Sequence, residues 1–158
     1  MAIPIRTKFI MKNLIILLTL FVACIQNKSE DFQLVALSPV TYEFKAGENK
    51  NRIDYFYVEG NFSYDVDEYE KLKKKIDDKT AGTDIKNYQL YSVYIYKKTD
   101  VLNQQYKAGR EGLDGHNQDL IAYIRYDKGN RDIFYITERG NVVYDVLSNK
   151  EEDFEFEQ

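Results

Sequence analysis

One histidine, His116, and one cysteine, Cys24, occur in the 158 residues, and this narrows the chemistry at once. A Ser–His–Asp or Cys–His nucleophile would have to draw on His116, and no Gly-x-Ser-x-Gly turn is present to hold up a serine. A zinc site usually takes several histidine or cysteine ligands, which the chain beyond Cys24 lacks. There is no Gly-x-x-x-x-Gly-Lys-Ser/Thr run to cradle a phosphate. Oxygen donors remain. The stretch Arg110-Glu111-Gly112-Leu113-Asp114-Gly115-His116-Asn117-Gln118-Asp119 sets Asp114, Asn117 and Asp119 among glycines, and calcium takes such donors. The spacing matches no established calcium loop, so a solvated loop is the plainer reading. No catalytic residue, metal or cofactor is assigned. With 26 acids, carboxylate pairs arise by chance, and a carboxylate-dependent envelope hydrolase acting on glycans stands as the alternative function.

Tyrosine is the other surplus: all 14 follow residue 24. By strand alternation Tyr55 and Tyr57 share a face, as do Tyr94 and Tyr96. Tyrosine joins a large apolar ring to a hydroxyl at low entropic cost, which suits interfaces. If a helix covers one face of a sheet, these four residues on the other face are candidate binding residues. Cross-strand or core packing is the competing reading. Charge limits the partner. Residues 1–23 hold Arg6, Lys8 and Lys12 and no acid, so from Cys24 onward 19 bases face 26 acids, a net charge of −7. That sign argues against nucleic acid and against an anionic lipid surface, which need basic patches.

The N-terminus accounts for the lone cysteine. Lys8 and Lys12 precede an apolar run, Leu14 to Ala23, that fits a signal-peptide core and falls well short of the ~20 residues that span a bilayer. Met11-Lys12-Asn13 would open a compact signal. The run closes Phe21-Val22-Ala23-Cys24, which resembles the lipobox of bacterial lipoproteins. The resemblance implies a diacylglycerol on the Cys24 sulfur, cleavage before Cys24 and a further acyl chain, such as palmitate, on the new amino group. Two or more chains make stable anchoring, at ~0.8 kcal/mol per buried methylene. An ordinary secretory signal is the competing reading, but Phe21 is bulky for the small-residue recognition of that peptidase.

The elements that must position these residues follow from periodicity. Residues 24–33 read as a polar tether, 34–147 as one domain and 148–158 as a loose acidic tail that could instead add an edge strand. Val40–Phe44 and Ile53–Val58 predict a hairpin. Val66, Tyr69, Leu72 and Ile76 share one helical face, and Asp65 with Glu68 makes a capping-box-like start, so a helix is expected over about 65–78. Residues 88–98 carry apolar bulk on both faces, as a central strand would. A short helix is expected over Asp100–Lys107 and a loop over 109–118. Three further strands form a meander, with one face each lined by Leu120, Ala122, Ile124 and Tyr126, by Phe134 and Ile136, and by Val142, Tyr144 and Val146. Gly129-Asn130 and Gly140-Asn141 punctuate them. The expected fold is α+β, an antiparallel sheet of about five or six strands packed by one amphipathic helix.

The expected function is a membrane-anchored, non-catalytic binding lipoprotein of the bacterial cell envelope, with a protein partner; one form is an immunity protein against a basic toxin. Lipidation needs the Cys24 thiol, so Cys24→Ser should abolish incorporation of a fatty-acid probe in the native host. A wild-type chain that takes no label, or takes it only elsewhere, would overturn the lipoprotein assignment.

Overall fold

A computed structural model describes residues 31–157; the side chains of residues 38–40 lie outside that description. Segment 1–23, Cys24 and the tether as far as residue 30 lie outside the described residues. No helix among the described residues is long and apolar enough to cross a membrane.

The described chain is mostly β-sheet with one α-helix. The strands are β1 (Gln33–Ala46), β2 (Asn49–Glu59), β3 (Leu90–Lys97), β4 (Leu120–Asp127), β5 (Asn130–Glu138), β6 (Asn141–Asp145) and β7 (Lys150–Glu155), and the helix is α1 (Val66–Thr80). They form one seven-stranded sheet in which spatial order equals chain order. Two expectations are thereby corrected. The sheet has more than five or six strands, and it is mixed, because β2 and β3 run parallel while every other pair is antiparallel. Parallel neighbours cannot be joined by a tight turn; α1 supplies the crossover.

Turn chemistry sets the hairpins. Gly47 takes φ +66° at the first position of the two-residue β1–β2 turn, the position where a type II′ turn wants glycine. The next two turns are Lys128-Gly129 and Arg139-Gly140, with positive φ at both residues of each, the requirement of type I′ turns. Asn130 and Asn141 open the following strands instead of sitting in the turns. In β1 the register shifts between Ala36 and Thr41, a stretch that contains Pro39, which has no amide to donate.

The helix begins where its sequence says it should. Asp65 is extended, and its Oδ1 accepts the Glu68 amide at 2.9 Å. Tyr69, Leu72 and Ile76 are buried. Val66, expected on the same stripe, is 50% exposed; it occupies the first helical position, a turn before the stripe meets the sheet. At the far end the buried Thr80 hydroxyl donates to the Ile76 carbonyl.

Both ends of the domain extend further than expected. Phe32 is fully buried and Gln33 opens β1, so these residues belong to the fold and not to a tether. Lys150–Glu155 pairs with β6 as an edge strand, and Phe156 beyond it is buried; the loose-tail reading of 148–158 is corrected. Asp100–Lys107 is a series of bends and turns, not a helix.

Leu72 is fully buried in the helix–sheet core, so Leu72→Ala should cost about 2–5 kcal/mol in denaturant unfolding. Val66→Ala, on the exposed first turn, should stay within about 0.5 kcal/mol.

Candidate functional site

Strand alternation gives the sheet two faces, and both are apolar. One packs under α1: Tyr69, Leu72 and Ile76 meet Tyr91, Val93, Ile95, Ile124 and Phe134. The second gathers Tyr55, Tyr57, Tyr96, Leu120 and Val142 with Leu102, Tyr106 and Leu113. The last three belong to the long connection between β3 and β4, which folds back over this face. That segment is held by local bonds. Thr99 Oγ1 accepts the Leu102 amide at 2.8 Å, Asn103 Oδ1 accepts the Gln105 amide at 2.8 Å, and the Tyr106 hydroxyl donates to the Gly109 carbonyl at 2.6 Å. Gly112 is needed for close approach, because a Cβ there would come within 2.5 Å of both Ala108 Cβ and Tyr106 Oη. His116 is spent inside the segment, its Nδ1 lying 2.8 Å from Asp119 Oδ2.

This cover changes the reading of the candidate tyrosines. Tyr55, Tyr57 and Tyr96 are 5%, 1% and 0% exposed; for these three the competing core-packing reading holds, and they are not exposed binding residues. Only Tyr94 stays half-buried. It stacks on Tyr55 at 5.4 Å and meets Tyr123 at 4.8 Å, and Tyr123 in turn meets Phe156 at 5.1 Å. Beside this row Tyr135 takes Phe154 edge-on at 5.6 Å. Burial pushes the Tyr94 phenol above its ordinary range, with the neighbouring tyrosines adding to the shift, so it stays a neutral hydroxyl at physiological pH.

Where the cover ends, an open trough of about 380 Å³ remains, lined by Tyr94, Tyr123, Ile133, Tyr135, Phe154 and Phe156. Arg125 stands at its rim, clasped by Asp132 through Nη2 at 2.6 Å and Nε at 3.1 Å. The hydrogen bond to Asp132 holds the guanidinium firmly charged. The trough combines ring faces, phenol hydroxyls and a fixed rim charge. Glu155 and Glu157 complete its lining. Tyr123, Tyr135, Phe154 and Phe156 were not among the candidate residues expected from the sequence. The signal for the first two was present: they alternate with Ile124 and Phe134, which line the opposite face.

No family model, curated protein or solved structure matches this chain. The site therefore rests on geometry alone.

Two acids come together on the helix-side face, and there the structure neutralises them. Asp54 is buried and accepts from the Tyr91 hydroxyl at 2.7 Å, the Thr41 hydroxyl at 3.0 Å and Arg52 Nε at 3.1 Å. Glu43 accepts from the Tyr88 hydroxyl at 2.6 Å, with Lys50 at 3.0 Å and Arg52 at 3.6 Å. Arg52 thus bridges the two carboxylates, an arrangement of a structural ion network and not of an acid–base pair poised for hydrolysis. Among the described residues no group of three or more His, Cys, Asp or Glu gathers as for a metal, and Asp114, Asn117 and Asp119 of the loop form no such group.

The Tyr88 hydrogen bond, then the Lys50 hydrogen bond, holds the Glu43 carboxyl below its ordinary value of 4.5. A folded-state value below the unfolded one contributes stability that is present above the ordinary value and lost as pH falls through the folded one. The thermal midpoint of wild type should therefore exceed that of Glu43→Gln at pH 7, and the gap should shrink on acidification below 4.5. A gap independent of pH would rule out this role for Glu43.

Proposed function

We propose that this chain is a non-catalytic binding lipoprotein of the bacterial cell envelope, anchored through lipid on Cys24 and engaging a protein through the aromatic trough. The observation that carries the binding reading is the trough itself. The second sheet face is sealed over Tyr55, Tyr57 and Tyr96 but left open over Tyr94, Tyr123 and Tyr135, with Phe154 42% exposed at its edge. Aromatic residues in a partly formed pocket supply the anchors around which protein interfaces concentrate their energy. The net charge of −7 from Cys24 onward favours a basic partner by steering and complementarity. An immunity protein that neutralises a basic toxin at the envelope is one form consistent with small size, acidity and a non-catalytic site. The glycan-hydrolase alternative gains no support from Glu43 and Asp54, whose charges are taken up by Arg52, Lys50 and two tyrosines.

The test is capture of a partner by the full chain in its native host, followed by binding measurements with trough variants. Tyr135→Ala and Phe154→Ala should each weaken the partner's affinity tenfold or more, as anchor truncations do, while Val66→Ala on the helix leaves it unchanged. Equal affinity for all three would remove the trough as the binding site.

A further inference from the structure

We propose that the partner contributes an extended segment, cationic on one face and apolar on the other, that adds as an eighth strand to the free edge of β7. This rests on the binding reading above and specifies how the trough is used.

The sheet order ends at β7, which pairs with β6 alone among the described residues. The Phe156 amide donates to the Gly140 carbonyl at 2.8 Å, so alternation turns the neighbouring Glu155 amide outward. The edge therefore offers backbone donors and acceptors to an incoming strand, the basis of recognition by strand addition.

The side chains say which strand. The register sets Glu151 against Tyr144 and Phe154 against Val142. Alternation from there places Glu151 and Asp153 on the helix-side face and Glu152 with Phe154 on the trough face, where Glu155 also lines the trough. None of these carboxylates is engaged in an ion pair among the described residues. Two other acids of the sheet differ: Glu43 and Asp54 are fully matched by cations and hydroxyls. An added strand with lysines or arginines on one face would make cross-strand pairs with Glu151 and Asp153. Its other face would lay apolar side chains over Phe154 and into the trough.

Charged edge strands also discourage self-pairing. The two effects have opposite consequences for different partners. The same row of carboxylates that repels β7 of a second copy attracts a cationic strand. The other sheet edge is a poorer template, since the irregular register between Ala36 and Thr41 interrupts β1 and its Glu43 is already paired.

The experiment uses the full chain in detergent and an octapeptide of alternating lysine and valine. Binding should protect the amides of Lys150–Glu155 from hydrogen exchange. Replacing the lysines by glutamates should weaken affinity at least tenfold, and so should N-methylation of alternate peptide amides, which preserves charge and side chains but removes the ladder. Equal binding of the N-methylated peptide would overturn strand addition, as would protection that spares β7 or no binding at all. Dimers of the chain that protect the same amides would assign the edge to a second copy and overturn the proposal too. The trough variants read the broader binding function separately: if they lose the native partner while the peptides show no ladder, the trough stands and the added strand falls.

Discussion

A sheet whose central strands are apolar on both faces must be covered twice, and the rest of this structure answers that constraint. On β3, Tyr91, Val93 and Ile95 are buried toward α1, and Tyr96 is buried on the opposite side. One helix cannot reach both. The long connection after β3 therefore turns back and sets Leu102, Tyr106 and Leu113 against the second face. Its cover is incomplete. Beyond Tyr94 and Tyr123 the face is walled by Phe154 and Phe156 at the C-terminal end of the fold, and the trough lies between these two partial covers. The trough is thus what remains of a packing requirement met from two directions.

Much of this was legible in the sequence, and what was not has physical causes. The α1 stripe and its Asp65 cap follow from helical spacing, and the strands follow from alternation. Face assignments failed at bulges. A register shift between Ile95 and Tyr96 sends Leu120 to the second core, and one between Val142 and Tyr144 separates two residues expected on one face. A bulge adds a residue without altering composition, so periodicity cannot see it. What covers Tyr55, Tyr57 and Tyr96 was hidden, because it is three apolar side chains scattered along a polar, glycine-punctuated segment with neither helical nor strand period. Strand β7 was hidden by its acids, which have low strand propensity; Phe156, seated in the second core, holds it in place.

The carboxylates show how differently one domain can treat a single functional group. Around Asp54 the cost of burying charge is offset by donors from three strands, and removing any one of them would leave a desolvated partner. Along β7 the acids remain in water, where each contributes little to stability. Their influence is long-ranged instead. They add to the field that a cationic molecule meets at that edge, whereas the buried network is nearly neutral when seen from outside.

The identity of spatial and chain order across the sheet bears on how the chain reaches its native state. Every strand lies beside its sequence neighbour, so the antiparallel pairs joined by tight turns form between segments only a few residues apart. The junctions β2–β3 and β3–β4 each demand closure of a long loop. Closure entropy rises slowly with loop length, while folding speed falls as the mean separation of contacts grows. The β4–β5–β6 hairpins therefore close over short separations, whereas β3 is bounded by two long closures whose connecting segments each fold onto an opposite side of it.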